Sequence, residues 1–233
     1  MQAKATIPLQ QDDDEDFYPS SDGRPMAESD LHLKEMFYLI QALRDRYQNV
    51  PDVYVAGNLL LYYVRGDRKA CLAPDVFVVK GVPKRDRLSF LLWKEGQAPC
   101  FVIEVTSKST RDEDIEKKRD RYERMGVEEY FLHDPLAEYL HPSLQGYRLK
   151  DGRYRKISPE PDGSLVSWTT GLRLRREGKH LHLVDLATGM PLPSFEEVQE
   201  VNRQQAAELL RQAEEIRRKD EEIARLRREL ESR

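Results

Sequence analysis

Ala73-Pro74-Asp75-Val76-Phe77-Val78-Val79 and Cys100-Phe101-Val102-Ile103-Glu104-Val105-Thr106-Ser107 decide how this chain folds. Each is a short, β-branched apolar run, the pattern of a buried strand. Each carries one carboxylate inside or at the edge of that run. Burying an ionised carboxylate is costly unless it is paired or bound to a metal. A single acid in a strand is met by a buried arginine. Two acids on neighbouring strands, joined by a lysine from a following helix, offer a second solution: they hold a divalent cation that activates water. Carboxylate oxygens suit Mg²⁺ or Mn²⁺, and Mg²⁺ usually takes only one or two of them and keeps several waters. No Cys/His cluster with zinc spacing occurs.

The lysine is found one segment downstream. Asp112 to Met125 reads as a charged helix stopped by Gly126. Ile115, Tyr122 and Met125 mark its apolar face, and Lys118 falls on that same face. A cation on the inward stripe breaks the patterning rule. Either its stem snorkels along the apolar surface, or it reaches Asp75 and Glu104 and stabilises negative charge growing there. Ser107, Ser109 and Thr110 form a polar loop that can simply cap this helix. Glu28 and His32, at or just before an earlier helix, are candidates for supporting or third-ligand roles beside the ordinary role of a structural hydrogen-bonder.

Upstream, Leu31, Met36, Phe37, Leu39, Ile40, Leu43 and Tyr47 recur at helical spacing behind an N-cap at Ser29 or Asp30, predicting a helix to about Gln48. Asp52 to Val64 is strand-like, interrupted by Gly57-Asn58. Gly81 to Gly96 is a basic, irregular excursion. Downstream, Glu129 to Pro135 predicts a strand that ends at its proline. Gly146–Leu149, Arg153–Ile157, Leu165–Trp168 and His180–Asp185 predict short strands linked as hairpins by Asp151-Gly152, Asp162-Gly163 and Glu177-Gly178.

The two ends differ in character. Residues 1–27 hold the acid block Asp12-Asp13-Asp14-Glu15-Asp16 and few apolar residues, the composition of a flexible, solvated tail. Beyond Pro191-Leu192-Pro193, residues 194–233 are charged and helical, with Leu209, Ile216, Ile223 and Leu230 spaced by sevens. That spacing predicts a coiled coil, although Asp220 and Arg227 interrupt the second seam position. A solvated single helix held by charge pairs is the alternative.

Composition bounds the rest. The chain has 233 residues, with 39% hydrophobic and 34% charged, enough for one domain, 28–193, plus appendages. No apolar run approaches the roughly 20 residues of a membrane-spanning helix, and the first residues lack an apolar core of signal-peptide length. Cys71 and Cys100, both in apolar context, read as free, buried thiols of a cytoplasmic protein. The net charge of −4 counts mildly against nucleic acid, though a local basic groove is compatible with it.

The chain resembles a large bacterial restriction-endonuclease family within the PD-(D/E)XK nuclease superfamily, from about Asp22 to Pro193. The resemblance is carried by Met26-Ala27-Glu28-Ser29-Asp30-Leu31-His32, Gly57-Asn58, Ala73-Pro74-Asp75-Val76, Glu104-Val105-Thr106-Ser107-Lys108-Ser109-Thr110, Lys118 with Tyr122, and Gly126-Val127-Glu128-Glu129-Tyr130-Phe131. It implies an α/β fold, the restriction-endonuclease-like mixed β-sheet core flanked by helices. It implies Asp75 and Glu104 as Mg²⁺ ligands, helped by a backbone carbonyl near Val105. One departure stands out: two residues after Glu104 the chain has Thr106 where the simplest superfamily pattern has lysine. Lys118 matches the position of a lysine supplied by the next helix.

The expected activity is hydrolysis of DNA phosphodiesters, with Asp75, Glu104 and Lys118 catalytic and Glu28, His32, Ser107 and Tyr122 supporting. Lys84, Arg85, Arg87 and Lys94 are candidate phosphate contacts. A homodimer through the C-terminal coiled coil would bring two sites to two strands. The competing expectation is a catalytically silent nuclease fold that works as an interaction module through its coiled coil.

Overall fold

The computed structural model describes residues 17–21, 29–106 and 113–231. The acid block, Glu28 and Ser107 to Thr110 lie outside the described residues. Two compact units result, one ending at Leu192 and the other running Pro193–Arg233.

The first unit is built on a six-stranded mixed sheet in the order β1-β4-β6-β7-β8-β9. The strands are β1 (Val53–Ala56), β4 (Val76–Lys80), β6 (Phe101–Val105), β7 (Glu129–His133), β8 (Leu144–Lys150) and β9 (Arg153–Lys156). Helix α1 (Asp30–Arg46) precedes them, capped by the Ser29 side chain, which accepts from the His32 N–H. Every neighbouring pair is antiparallel except β6–β7. A parallel pair needs a crossover. Its described part is a π-helical stretch, Glu113–Lys118, continued by α3 (Arg119–Met125). The helix expected over Asp112 to Met125 is therefore two kinds of helix in series.

Both faces of this sheet are covered, which is why β4, β6 and β7 are buried almost end to end. Alternate residues divide between two cores. Val76, Val78, Phe101, Ile103 and Phe131 pack with Leu39 and Leu43 of α1 and with a second sheet. Phe77, Val79, Val102, Tyr130 and Leu132 pack with Tyr122 of α3.

The second sheet is antiparallel: β10 (Leu165–Ser167), β11 (Leu172–Glu177) and β12 (His180–Asp185). Sequence patterning missed β11. It also read Asp162-Gly163 as a hairpin turn, whereas that turn links β9 of one sheet to β10 of the other. β12 is an edge strand with two amides satisfied by α1: Glu35 Oε2 accepts from the Leu181 N–H at 2.9 Å and Tyr38 Oη from the Leu183 N–H at 3.2 Å.

The strand expected over Asp52 to Val64 is split at Gly57-Asn58. β2 (Leu61–Tyr62) leaves the main sheet and joins β3 (Cys71–Leu72) and β5 (Phe90–Leu91) in a small third sheet. The short helix α2 (Leu92–Glu95) follows β5. Tyr18 lies in the stretch read as a solvated tail, yet it is buried against Tyr62 and Trp93, with ring centroids 5.0 and 4.9 Å apart.

The second unit is the long helix α4 (Phe195–Glu231). Leu209, Ile216, Ile223 and Leu230 are all exposed along it. No helix among the described residues is long and apolar enough to cross a membrane.

Candidate active site

The register of β4 against β6 positions the two acids. Val76 faces Ile103 in the antiparallel pair, so one step further Asp75 faces Glu104. Directly opposed residues on antiparallel strands present their side chains to the same face. Asp75 sits at the mouth of β4, its side chain 16% exposed, while Glu104 is completely buried. Asp75 Oδ2 accepts from the Val105 N–H at 2.8 Å. His32 Nε2 stands 3.3 Å from Asp75 Oδ1.

Glu104 is gripped from the crossover. Lys118 Nζ donates to Oε2 at 2.9 Å and Tyr122 Oη donates to Oε1 at 2.6 Å. Lys118 ends the π-helical stretch and Tyr122 lies one turn into α3, so residues four apart take one oxygen each. Burial and the Glu104 carboxylate beside it hold the Tyr122 phenol well above its ordinary pKa, so it remains a neutral donor.

The backbone is shaped to let Asp75 in. A Cβ on Gly57 would stand 2.2 Å from the Asp75 carbonyl oxygen and 2.5 Å from Ile40 Cδ1. The Asn58 N–H, next in chain, donates to the Pro74 carbonyl at 2.8 Å, with Asn58 itself in the left-handed region at φ 52°.

Thr106 occupies the position where the simplest pattern has lysine. Its N–H and hydroxyl both donate to the His133 carbonyl, at 2.8 and 3.3 Å, tying the end of β6 to β7. One group escaped the sequence reading. Glu35, on the buried stripe of α1 four residues before Leu39, is 2% exposed. Its carboxylate meets His180 Nδ1 at 2.6 Å and lies 3.5 Å from His133 Nε2. An acid on an apolar helical stripe was the available signal.

Of the four cations expected to contact phosphate, Lys84, Arg85 and Arg87 have internal partners. The loop that holds them leaves β4 at Lys80, five residues and ~16 Å along the strand from Asp75. The Arg87 side chain is 3% exposed, donates to both oxygens of Glu95, and lies 4.1 Å over the Tyr54 ring. Arg85 also pairs with Glu95. Lys84 caps the end of α1 through the Tyr47 and Gln48 carbonyls. Lys94 is exposed on α2.

The model of the Uma2 family, described as "putative restriction endonuclease", matches residues 8–179. The chain belongs to the Uma2 family. The mixed sheet with flanking helices is the fold this membership implies, and the family places the chain among nuclease-like proteins. α4 lies beyond the matched residues. No curated protein matches the chain. Among solved structures, the chain is similar to "a putative nuclease belonging to DUF820" from Anabaena variabilis. That protein is 17% identical, with 65% of this chain and 81% of the other covered and a TM-score of 0.46.

Proposed function

We propose that this Uma2-family chain is a Mg²⁺- or Mn²⁺-dependent endonuclease that hydrolyses DNA phosphodiester bonds. The observation that carries the reading is the meeting of Lys118 with Glu104, the acid set opposite Asp75 by the β4–β6 register.

The donor set suits the ion. Two carboxylates and a backbone carbonyl are hard oxygen ligands, and Mg²⁺ completes its shell with water. Among the described residues no group of three or more His, Cys, Asp and Glu side chains gathers to hold a metal. Asp75, Glu104 and the Val105 carbonyl would hold the ion. When bound, such an ion polarises a phosphate oxygen and lowers the pKa of coordinated water.

The side chains supply the rest. The Val105 N–H holds one oxygen of the Asp75 carboxylate, and His32 Nε2 lies 3.3 Å from the other. Tyr122 holds one oxygen of Glu104. Lys118 brings an ammonium to the place where charge accumulates as water oxygen bonds to phosphorus and the ester oxygen departs. A homodimer formed through the exposed heptad residues of α4 would present two such sites.

Plasmid cleavage in Mg²⁺ tests the reading, with Asp75→Ala and Lys118→Ala as controls. Cleavage by the parent and its loss in both variants is the expected result. Full activity in Asp75→Ala overturns the mechanism. No cleavage by the parent, together with a stable oligomer through α4, favours the interaction-module alternative.

A further inference from the structure

We infer that the tip of the β11–β12 hairpin, Arg175 to His180, contacts the phosphate backbone of DNA lying at the site; this rests on the nuclease reading above. Three ties put the tip at the same end of the main sheet as Asp75 and Glu104. The Lys179 carbonyl lies 3.3 Å from His133 Nε2, and His133 is the register partner of Val105, next to Glu104. His180 Nδ1 meets Glu35, one turn along α1 from His32, which itself faces Asp75. Arg176 Nη2 donates to the carbonyl of Pro135, just past the end of β7.

The tip is held firmly but its charge is not used up. Arg175, Arg176 and Lys179 stand against a single acid, Glu177, which Arg175 meets at 2.6 Å. Lys179 is exposed and its ammonium has no ion-pair partner among the described residues. The Arg175 side chain stays 43% exposed beside that acid, and Arg176 is half-buried. The basic loop after β4 presents the opposite case, with Arg87 and Lys84 committed to internal partners at the far end of the sheet.

The two faces complement each other. His133 shares its side of the sheet with Phe131 and α1, whereas Glu104 shares the other with Tyr122. A nucleic acid laid across the strand ends therefore meets the acids and Lys118 from one face and the hairpin cations from the other. Phosphate contacts of this kind position the chain without reading sequence. They also supply a local attraction that the overall charge of −4 lacks.

Fluorescence anisotropy with a labelled DNA duplex tests this, using the full chain in Mg²⁺ and a Lys118→Ala background to keep the DNA uncut. Lys179→Glu and the double variant Arg175→Glu/Lys179→Glu should weaken binding, the double by about tenfold or more, and lower the salt-dependence slope by about one per cation removed. Lys179→Met, a milder change at an exposed site, should weaken binding less but in the same direction. Arg85→Glu, at the far end, should change it by less than about twofold on the same scale. In the cleaving parent, the hairpin variants should raise KM and leave kcat in place. Hairpin variants that bind and cleave with the parent's affinity and KM overturn this inference and leave the nuclease reading standing. A parent that neither binds nor cleaves DNA overturns both.

Discussion

Lys118 donates to Glu104 Oε2 at 2.9 Å across fourteen residues of chain, although no lysine stands two places after Glu104. The ammonium arrives from the crossover between two parallel strands and not from the strand itself. A buried carboxylate stripped of this partner loses the ammonium that offsets its desolvation. Lys118→Met should therefore destabilise the fold by about 3 kcal/mol, and Lys118→Met/Glu104→Gln by clearly less. Urea unfolding of the three proteins checks the order, and plasmid cleavage should fall about a hundredfold in either variant.

Gly57→Ala should disturb the site without touching an acid. The added methyl group meets the Asp75 carbonyl and Ile40, and the carbonyl belongs to the backbone that aims Asp75. A loss of about 1–3 kcal/mol in stability is expected for such overpacking. Cleavage should drop further than the lost stability explains, which comparing rate with folded fraction at one temperature will reveal.

Glu35 carries a pH signature. Burial pushes its pKa up, but His133, the Leu181 N–H and His180 together outweigh that and leave it lowered. A lowered carboxylate pKa adds stability above the unfolded value of about 4.3, and that stability disappears as pH falls through the folded value. The parent should therefore lose stability below about pH 4.3 more steeply than Glu35→Gln, which is weaker at neutral pH. Asp185, held down to about 2 by Arg46, gives an acid limb present in both proteins. Thermal melts between neutral and acid pH separate the two contributions.

The two thiols should differ in reactivity. Cys100 is 4% exposed and burial pushes its pKa up to about 11, so almost none of it is thiolate at mildly alkaline pH. Cys71 is half-buried. A disulfide reagent should titrate one thiol in the native chain and the second only on unfolding. A Cys71→Ser variant that still reacts at the parent's rate would reverse the assignment.

How much of this was legible in the sequence depends on what each residue meets. β4, β6 and β7 were readable because helices or sheets cover both sides, leaving uninterrupted apolar runs with one acid apiece in β4's approach and in β6. β11 escaped because Leu172 and Leu174 alternate with arginines, and charge overshadowed the period of two. β2, β3 and β5 have two residues each, too few for any pattern to register. Proximity was legible for Lys118 and Tyr122, which share a helical face. It was not legible for Arg87, whose partner Glu95 and stacking ring Tyr54 come from separate elements. The basic loop was assigned by charge alone, and charge does not say at which end of a sheet a loop emerges.

The sealing of β12 by α1 has a consequence for how this molecule fails. Glu35 and Tyr38 occupy amides that would otherwise recruit a foreign strand. A lesion at Glu35 thus uncovers an adhesive border on a sheet whose Leu181 and Leu183 are already fully inside. Its first symptom should be self-association during expression, well before the sheet itself melts.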